Sequence, residues 1–151
     1  MVVTKHVIMK KILFVLFAVI MITACKKETK IEKNLWKKGG EWSVTSWKSW
    51  NDGIEAEHIG TDVQSAVFTF NKEKEAIVVI NGDAGDIYTY KMKYENTESQ
   101  LKLTNVIDQE TGEVDYPSIV YYLMWEKDKL DLKSTNGFSG GDTETLILKK
   151  K

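Results

Sequence analysis

Between Trp42 and Lys150 the hydrophobic side chains recur at every second position, the spacing of a strand with one dry and one wet face rather than of a helix. The clearest case runs from Asp86 to Tyr94, with Tyr88, Tyr90, Met92 and Tyr94 on one side and Thr89, Lys91 and Lys93 on the other. Ala66, Phe68 and Phe70 alternate with Val67 and Thr69, and Ile119, Tyr121, Leu123 and Trp125 alternate with Val120, Tyr122 and Met124. Leu101 with Leu103, Leu130 with Leu132 and Leu146 with Leu148 are shorter runs of the same period, and Ala76–Ile80 is β-branched almost throughout. With Trp42–Trp50 these segments predict eight strands. Turn-forming residues separate them at Asn71–Lys74, Asn81-Gly82, Glu126–Lys129, and Asn136-Gly137 with Gly140-Gly141. Asp108–Pro117, with Thr111-Gly112 at its middle and the only proline at its end, reads as a longer exposed loop. Short strands joined by tight turns predict an all-β domain, an eight-stranded antiparallel up-and-down barrel in which closure removes the sheet edges. A two-sheet β-sandwich is the competing architecture.

The first 25 residues follow a different pattern. Lys5, Lys10 and Lys11 precede eleven apolar residues, Ile12–Ile22, and then Thr23, Ala24 and the sole cysteine, Cys25, before the polar Lys26-Lys27-Glu28-Thr29-Lys30. The run is well short of the roughly 20 residues a membrane-spanning helix requires, and the layout is that of an export signal, for which Met9-Lys10-Lys11 is an equally good start. Ile22-Thr23-Ala24-Cys25 resembles the lipobox of bacterial lipoproteins. That resemblance implies cleavage before Cys25, a diacylglyceryl group on its thiol and usually an acyl chain on the new amine. Two or more chains hold a bilayer firmly where one does so only marginally. The expected partner is therefore a membrane, reached through N-terminal acyl chains, and the expected location is the cell envelope, with the outer membrane favoured. The organisation expected is a signal peptide at 1–24, a charged flexible tether at 25–35 and one barrel domain at 36–151.

Cutting before Cys25 removes 24 of the 151 residues and three of the 21 lysines, leaving 127 residues with 18 basic groups against 22 acidic ones. A mildly acidic chain argues against nucleic acid as a partner. There is no arginine, and hence no planar fork for bidentate anion recognition. With one cysteine no internal disulfide can form.

Gly40-Glu41-Trp42 at the start of the first strand, the eight-strand count and the closing Leu146-Ile147-Leu148-Lys149 are similar to the small lipocalin-like lipoproteins of Gram-negative envelopes. In lipocalins the corresponding tryptophan packs across the barrel floor against a basic residue, commonly arginine, on or near the last strand. Only Lys149, Lys150 and Lys151 are available for that place here.

A barrel of eight strands is just wide enough to be filled by side chains or to hold one small molecule. Phe68, Phe70, Tyr88, Tyr90, Tyr121 and Trp125 are the aromatic residues expected to line such a pocket or to fill it, and a small hydrophobic or amphipathic guest is the ligand class they suit. A second function class arises from Trp36, Trp42, Trp47 and Trp50. Simple alternation puts Trp42, Val44 and Trp50 on one face and Trp47 on the other, where it either covers one end of the barrel against the N-terminal segment or is exposed beside Asn51 and Asp52 as in a glycan- or protein-binding surface on a solid barrel. No catalytic role is expected: His58 is the only histidine after the signal, a loop residue behind Glu55-Ala56-Glu57, and no nucleophile–base–acid set can be assembled around it from spacing alone. Asp83 with Asp86, and Asp108, Glu110, Glu113 and Asp115, lack the ligand spacing of a calcium loop, so neither a metal nor a cofactor is expected.

Overall fold

The computed structural model describes residues 33–151; the expected export signal, Cys25 and the first part of the expected tether lie outside the described residues. A helical turn at residues 33–36 and a 3₁₀ turn at Lys37–Gly39 lead into β1 (Glu41–Asn51), β2 (Ile54–Glu57), β3 (Val63–Phe70), β4 (Glu75–Gly82), β5 (Ile87–Asn96), β6 (Gln100–Asp108), β7 (Val114–Glu126), β8 (Lys129–Ser134) and β9 (Thr143–Lys150). All pairings between these strands are antiparallel, in the order β2-β1-β3-β4-β5-β6-β7-β8-β9. Strand β9 also pairs with β1 from Thr143↔Trp50 to Lys150↔Trp42, which closes eight strands into a barrel. The eight strands expected from alternation are all present, and their apolar faces meet inside. Phe68, Phe70, Val78, Met92, Tyr94, Leu101, Leu103, Ile119, Tyr121, Leu130, Leu132, Leu146 and Leu148 are buried there.

Up-and-down connectivity gives the barrel two distinct ends. At the base lie the N-terminal turns, Asn71–Lys74, Thr97–Ser99 and the Lys127-Asp128 turn. At the mouth lie residues 52–62, the β4–β5 turn, the β6–β7 turn and the long β8–β9 connection. The two ends differ because β1 changes partners. Its first residues pair with β3 (Glu41↔Thr69 to Ser43↔Val67), but from Lys48 onward that edge pairs with the short β2 instead. Strands β1 and β3 therefore part toward the mouth, and residues 58–62 occupy the gap.

Four expectations are corrected by the fold. First, β1 carries a bulge between Val44 and Ser46, opposite consecutive residues Leu148 and Ile147 of β9. One extra residue reverses the parity of everything after it, so Trp47 and Ser49 point inward and Trp47 is only 6% exposed, not the open indole that simple alternation predicts. Second, the expected loop Asp108–Pro117 ends early, because β7 begins at Val114 and includes Pro117. Pro117 is tolerated because β7 has only β6 beside it there: pairing to β8 starts at Tyr122. Third, Glu55-Ala56-Glu57 belongs to β2 rather than to a loop, and the β4–β5 turn falls after Asn81-Gly82, both of which remain in β4. Fourth, the expected tether meets the barrel at its last residue: Leu35 is buried, and its carbonyl accepts the Trp42 indole N–H at 2.9 Å.

Gly40 shows why the turn into β1 needs glycine. Its φ is +69°, and a Cβ there would lie 2.0 Å from the Phe70 carbonyl oxygen. The Gly40 carbonyl in turn accepts the Phe70 N–H at 3.0 Å, which seats the start of β1 against the end of β3.

Candidate functional site

A cavity of about 360 Å³ opens at the mouth. Trp47 of β1, Ile80 of β4, and Tyr88 and Tyr90 of β5 form its walls with Phe138 of the β8–β9 connection. His58, Asp62, Asp83, Asp86 and Ser139 supply its polar positions. Each arrives for a local reason. The bulge in β1 turns Trp47 inward, the alternation of β5 brings Tyr88 and Tyr90 to the inner face, and the divergence of β1 and β3 leaves room for His58 and Asp62.

Phe138 closes the barrel below the cavity. Its ring lies 6.0 Å from Phe68, 5.7 Å from Tyr90 and 5.7 Å from Tyr116, and its carbonyl accepts the Tyr116 hydroxyl at 2.9 Å. The same connection is bound from within by Glu144, a fully buried carboxylate on β9. Glu144 accepts hydrogen bonds from the Trp47 indole (2.9 Å), the Tyr121 hydroxyl (2.5 Å) and the backbone N–H groups of Phe138 (3.2 Å) and Ser139 (2.7 Å). Gly137 lets the connection come this close, since a Cβ there would stand 2.0 Å from a Glu144 carboxylate oxygen. A buried carboxylate is costly unless its lone pairs are met by donors. Here four donors from three parts of the chain converge on it and fasten the covering loop to the sheet.

Around His58 the structure assembles what spacing alone does not show. The imidazole Nε2 is 2.8 Å from the Ser49 hydroxyl and Nδ1 is 3.0 Å from the Asp62 carboxylate, while the ring packs against Trp47 at 5.3 Å. Burial acts to raise the Asp62 carboxyl, but hydrogen bonds from His58, Thr61 and its own amide hold it below the ordinary aspartate value. The connectivity is that of a nucleophile, base and orienting acid. Ser49, however, is buried and is not among the residues lining the cavity, and the Phe138 and Ser139 amides are already donating to Glu144 instead of standing free for an oxyanion. The relay fixes the His58 ring and ties the end of β2 to β1.

The six aromatic residues expected at a ligand site are divided by the fold. Tyr88 and Tyr90 border the cavity. Phe68, Phe70 and Tyr121 are buried in the packed interior, where Phe68 stacks on Phe70 at 6.0 Å and Phe70 meets Tyr94 edge-on at 5.1 Å. Trp125 lies at the base, 5.5 Å from Trp42 in an edge-to-face pair. Among the acidic residues considered for calcium, Asp108 instead accepts the Glu110 N–H at 2.7 Å within its own turn. No group of three or more His, Cys, Asp or Glu side chains among the described residues is placed to hold a metal ion. No helix among them is long and apolar enough to cross a membrane.

The base has the opposite charge character. Lys37, Lys38, Lys127 and Lys150 surround a recess of about 200 Å³ beside Trp42 and Trp125. Lys150 places its ammonium 5.0 Å over the Trp42 ring and donates to the Asn34 carbonyl at 2.6 Å. A lysine thus occupies the position under the floor tryptophan for which arginine is common. Burial, followed by the charge of Lys38, lowers its pKa.

Tyrosine ionisation provides a check on the packing at the mouth. Burial, and then the charges of Asp115 and other neighbours, push the Tyr90 hydroxyl up to about 12, and burial with the Glu144 charge raises Tyr121 well above 10. The folded state therefore retains protons that the unfolded chain releases near pH 10. This stabilisation is complete below pH 10 and is lost as pH rises from about 10 toward 12. We expect denaturant midpoints to hold steady to about pH 9 and fall beyond pH 10, with the Tyr90 phenolate absorbance appearing only toward pH 12 and that of the fully buried Tyr121 only on unfolding. A Tyr121→Phe chain should show a shallower fall.

No family model matches the chain, and no curated protein matches it. Among solved structures it is similar to a lipocalin-like protein from Bacteroides uniformis, at 12% identity and a TM-score of 0.51 over 78% of this chain and 99% of that one. An uncharacterized protein from Bacteroides eggerthii is similar at 10% identity and a TM-score of 0.45, over 73% and 97%. The likeness to the first, together with the β1–β9 closure and the lysine-capped floor tryptophan, gives this chain the fold of a lipocalin-like eight-stranded barrel.

Proposed function

We propose that this is a lipid-anchored envelope protein that holds one small amphipathic molecule in the mouth of its barrel. The observation that carries the binding reading is the 360 Å³ cavity with aromatic walls and a polar rim, within the range of small-molecule sites. Binding is favoured over catalysis because Ser49 is buried away from the cavity and the neighbouring amides are engaged. Binding by an exposed indole surface is disfavoured because Trp47 points inward.

Anchoring rests on the sequence around Cys25 and is supported by polarity. The described chain begins at the base, among Lys37, Lys38, Lys127 and Lys150, so an anchor eight residues earlier would hold the basic end toward the bilayer and the mouth away from it. Each lysine near an anionic leaflet contributes about 1 kcal/mol.

Two measurements test the reading. Metabolic labelling with a palmitate analogue should mark the native chain and leave Cys25→Ser unmarked and released from the membrane fraction; an unlabelled native chain would refute the anchor. The Cys25→Ser chain, which keeps the whole barrel, should bind a fluorescent amphiphile saturably with one site and quench Trp47. Purely linear, non-saturating uptake would refute the cavity.

A further inference from the structure

We propose that the guest of the mouth cavity carries a positive charge, being a small organic ammonium with an aromatic or aliphatic body. The inference rests on the reading that this cavity takes a guest, and it specifies the class. Three carboxylates, Asp62, Asp83 and Asp86, stand on the cavity lining, and no lysine does. With no arginine in the chain and no lysine on these walls, an anionic guest would meet only His58, whose ring nitrogens are already engaged by Asp62 and Ser49, and would face the carboxylates.

Two further observations point to a ligand and not merely to a solvated acidic turn. Ser139, also on the lining, has a hydroxyl with no hydrogen-bond partner among the described residues. The walls are the rings of Trp47, Tyr88, Tyr90 and Phe138, whose π faces attract a cation and whose area shelters an apolar body. The negative potential also extends inward, since Asp115 and Asp108 add to burial in suppressing ionisation of Tyr90.

Charge along the barrel is segregated in the same sense. The recess at the base, at the far end from the cavity, is lined by four lysines, Lys37, Lys38, Lys127 and Lys150, against one carboxylate, Asp128.

The test uses three ligands of matched shape on the Cys25→Ser chain: 2-phenylethylammonium, 2-phenylethanol and 3-phenylpropanoate, titrated calorimetrically at pH 7 and low salt. The ammonium should bind at least tenfold more tightly than the carboxylate, with the alcohol between them, and added salt should narrow the gap. In an Asp83→Asn, Asp86→Asn chain the preference for the ammonium over both the alcohol and the carboxylate should shrink severalfold. If the alcohol binds and the carboxylate matches or exceeds the ammonium, the charge assignment is wrong and the cavity reading stands. If none of the three saturates, the cavity reading falls and this inference with it.

Discussion

Replacing Glu144 with alanine is expected to remove about 3–5 kcal/mol of stability, a large share of what a domain of this size possesses. The carboxylate is fully buried and accepts from Trp47, Tyr121, Phe138 and Ser139. Removing it leaves four donors without their acceptor, and each orphaned buried group costs about 1–3 kcal/mol before relaxation. Relaxation is the reason the total stays below the sum: the β8–β9 connection can lift into water and rehydrate its two amides. The loss should therefore be accompanied by opening of the mouth, read as hydrogen exchange at Phe138 and Ser139 rising far more than at Leu101 or Ile119. Urea unfolding measures the stability, and a value within about 0.5 kcal/mol of the parent, the scatter of surface substitutions, would show that these bonds do not fasten the loop. Glutamine in place of Glu144 is nearly isosteric, but its amide turns two donors toward groups that also donate, so it should restore only part of the loss.

The second large effect is expected at the opposite end. Trp42→Ala should cost about 3–5 kcal/mol, the usual range for deleting a buried large aromatic side chain. Trp42 is completely buried, holds Leu35 through its indole N–H, meets Trp125 edge-to-face and lies under the Lys150 ammonium. Its removal frees residues 33–36 from the barrel as well as opening a cavity. Trp42→Phe keeps much of the apolar contact and loses the Leu35 hydrogen bond, so it should cost about 1–2 kcal/mol. The two ends separate the possible origins of any binding defect. Trp42→Ala should weaken the fold without changing ligand preference where the chain remains folded, whereas Glu144→Ala should alter both, because Glu144 positions the loop that carries Phe138 and Ser139. A Trp42→Ala chain whose ligand preference reversed while it stayed folded would contradict this division.

Period-two alternation was sufficient to place eight strands because every barrel strand has one face against the core, and β5 shows it in Met92 and Tyr94 buried between exposed Lys91, Lys93 and Glu95. It failed at Trp47 and Ser49, where one inserted residue changes which side of the strand faces inward. No composition signal marks that bulge, since Thr45 and its neighbours are ordinary strand residues. The short β2 was missed for a related reason: Ile54–Glu57 has no buried face, and pairing to β1 alone defines it. Of the candidate site, the inward positions of Tyr88 and Tyr90 were legible, but not which inward aromatic residues border space and which are packed. That depends on where Phe138 inserts.

Local chemistry in the chain by itself determined the all-strand architecture, the tight turns, the glycine and tryptophan at the start of β1 and the isolated Cys25 behind its apolar run, because each depends on neighbours a few residues apart. Only the tertiary structure decided that Glu144 would be a buried hub, that Ser49 and Asp62 would flank His58, and that three aspartates would line the mouth cavity and four lysines the recess at the base. Those arrangements join residues far apart in the chain, 97 positions in the Trp47–Glu144 hydrogen bond. They follow from strand register and barrel closure, which set distances between side chains that a linear pattern does not contain.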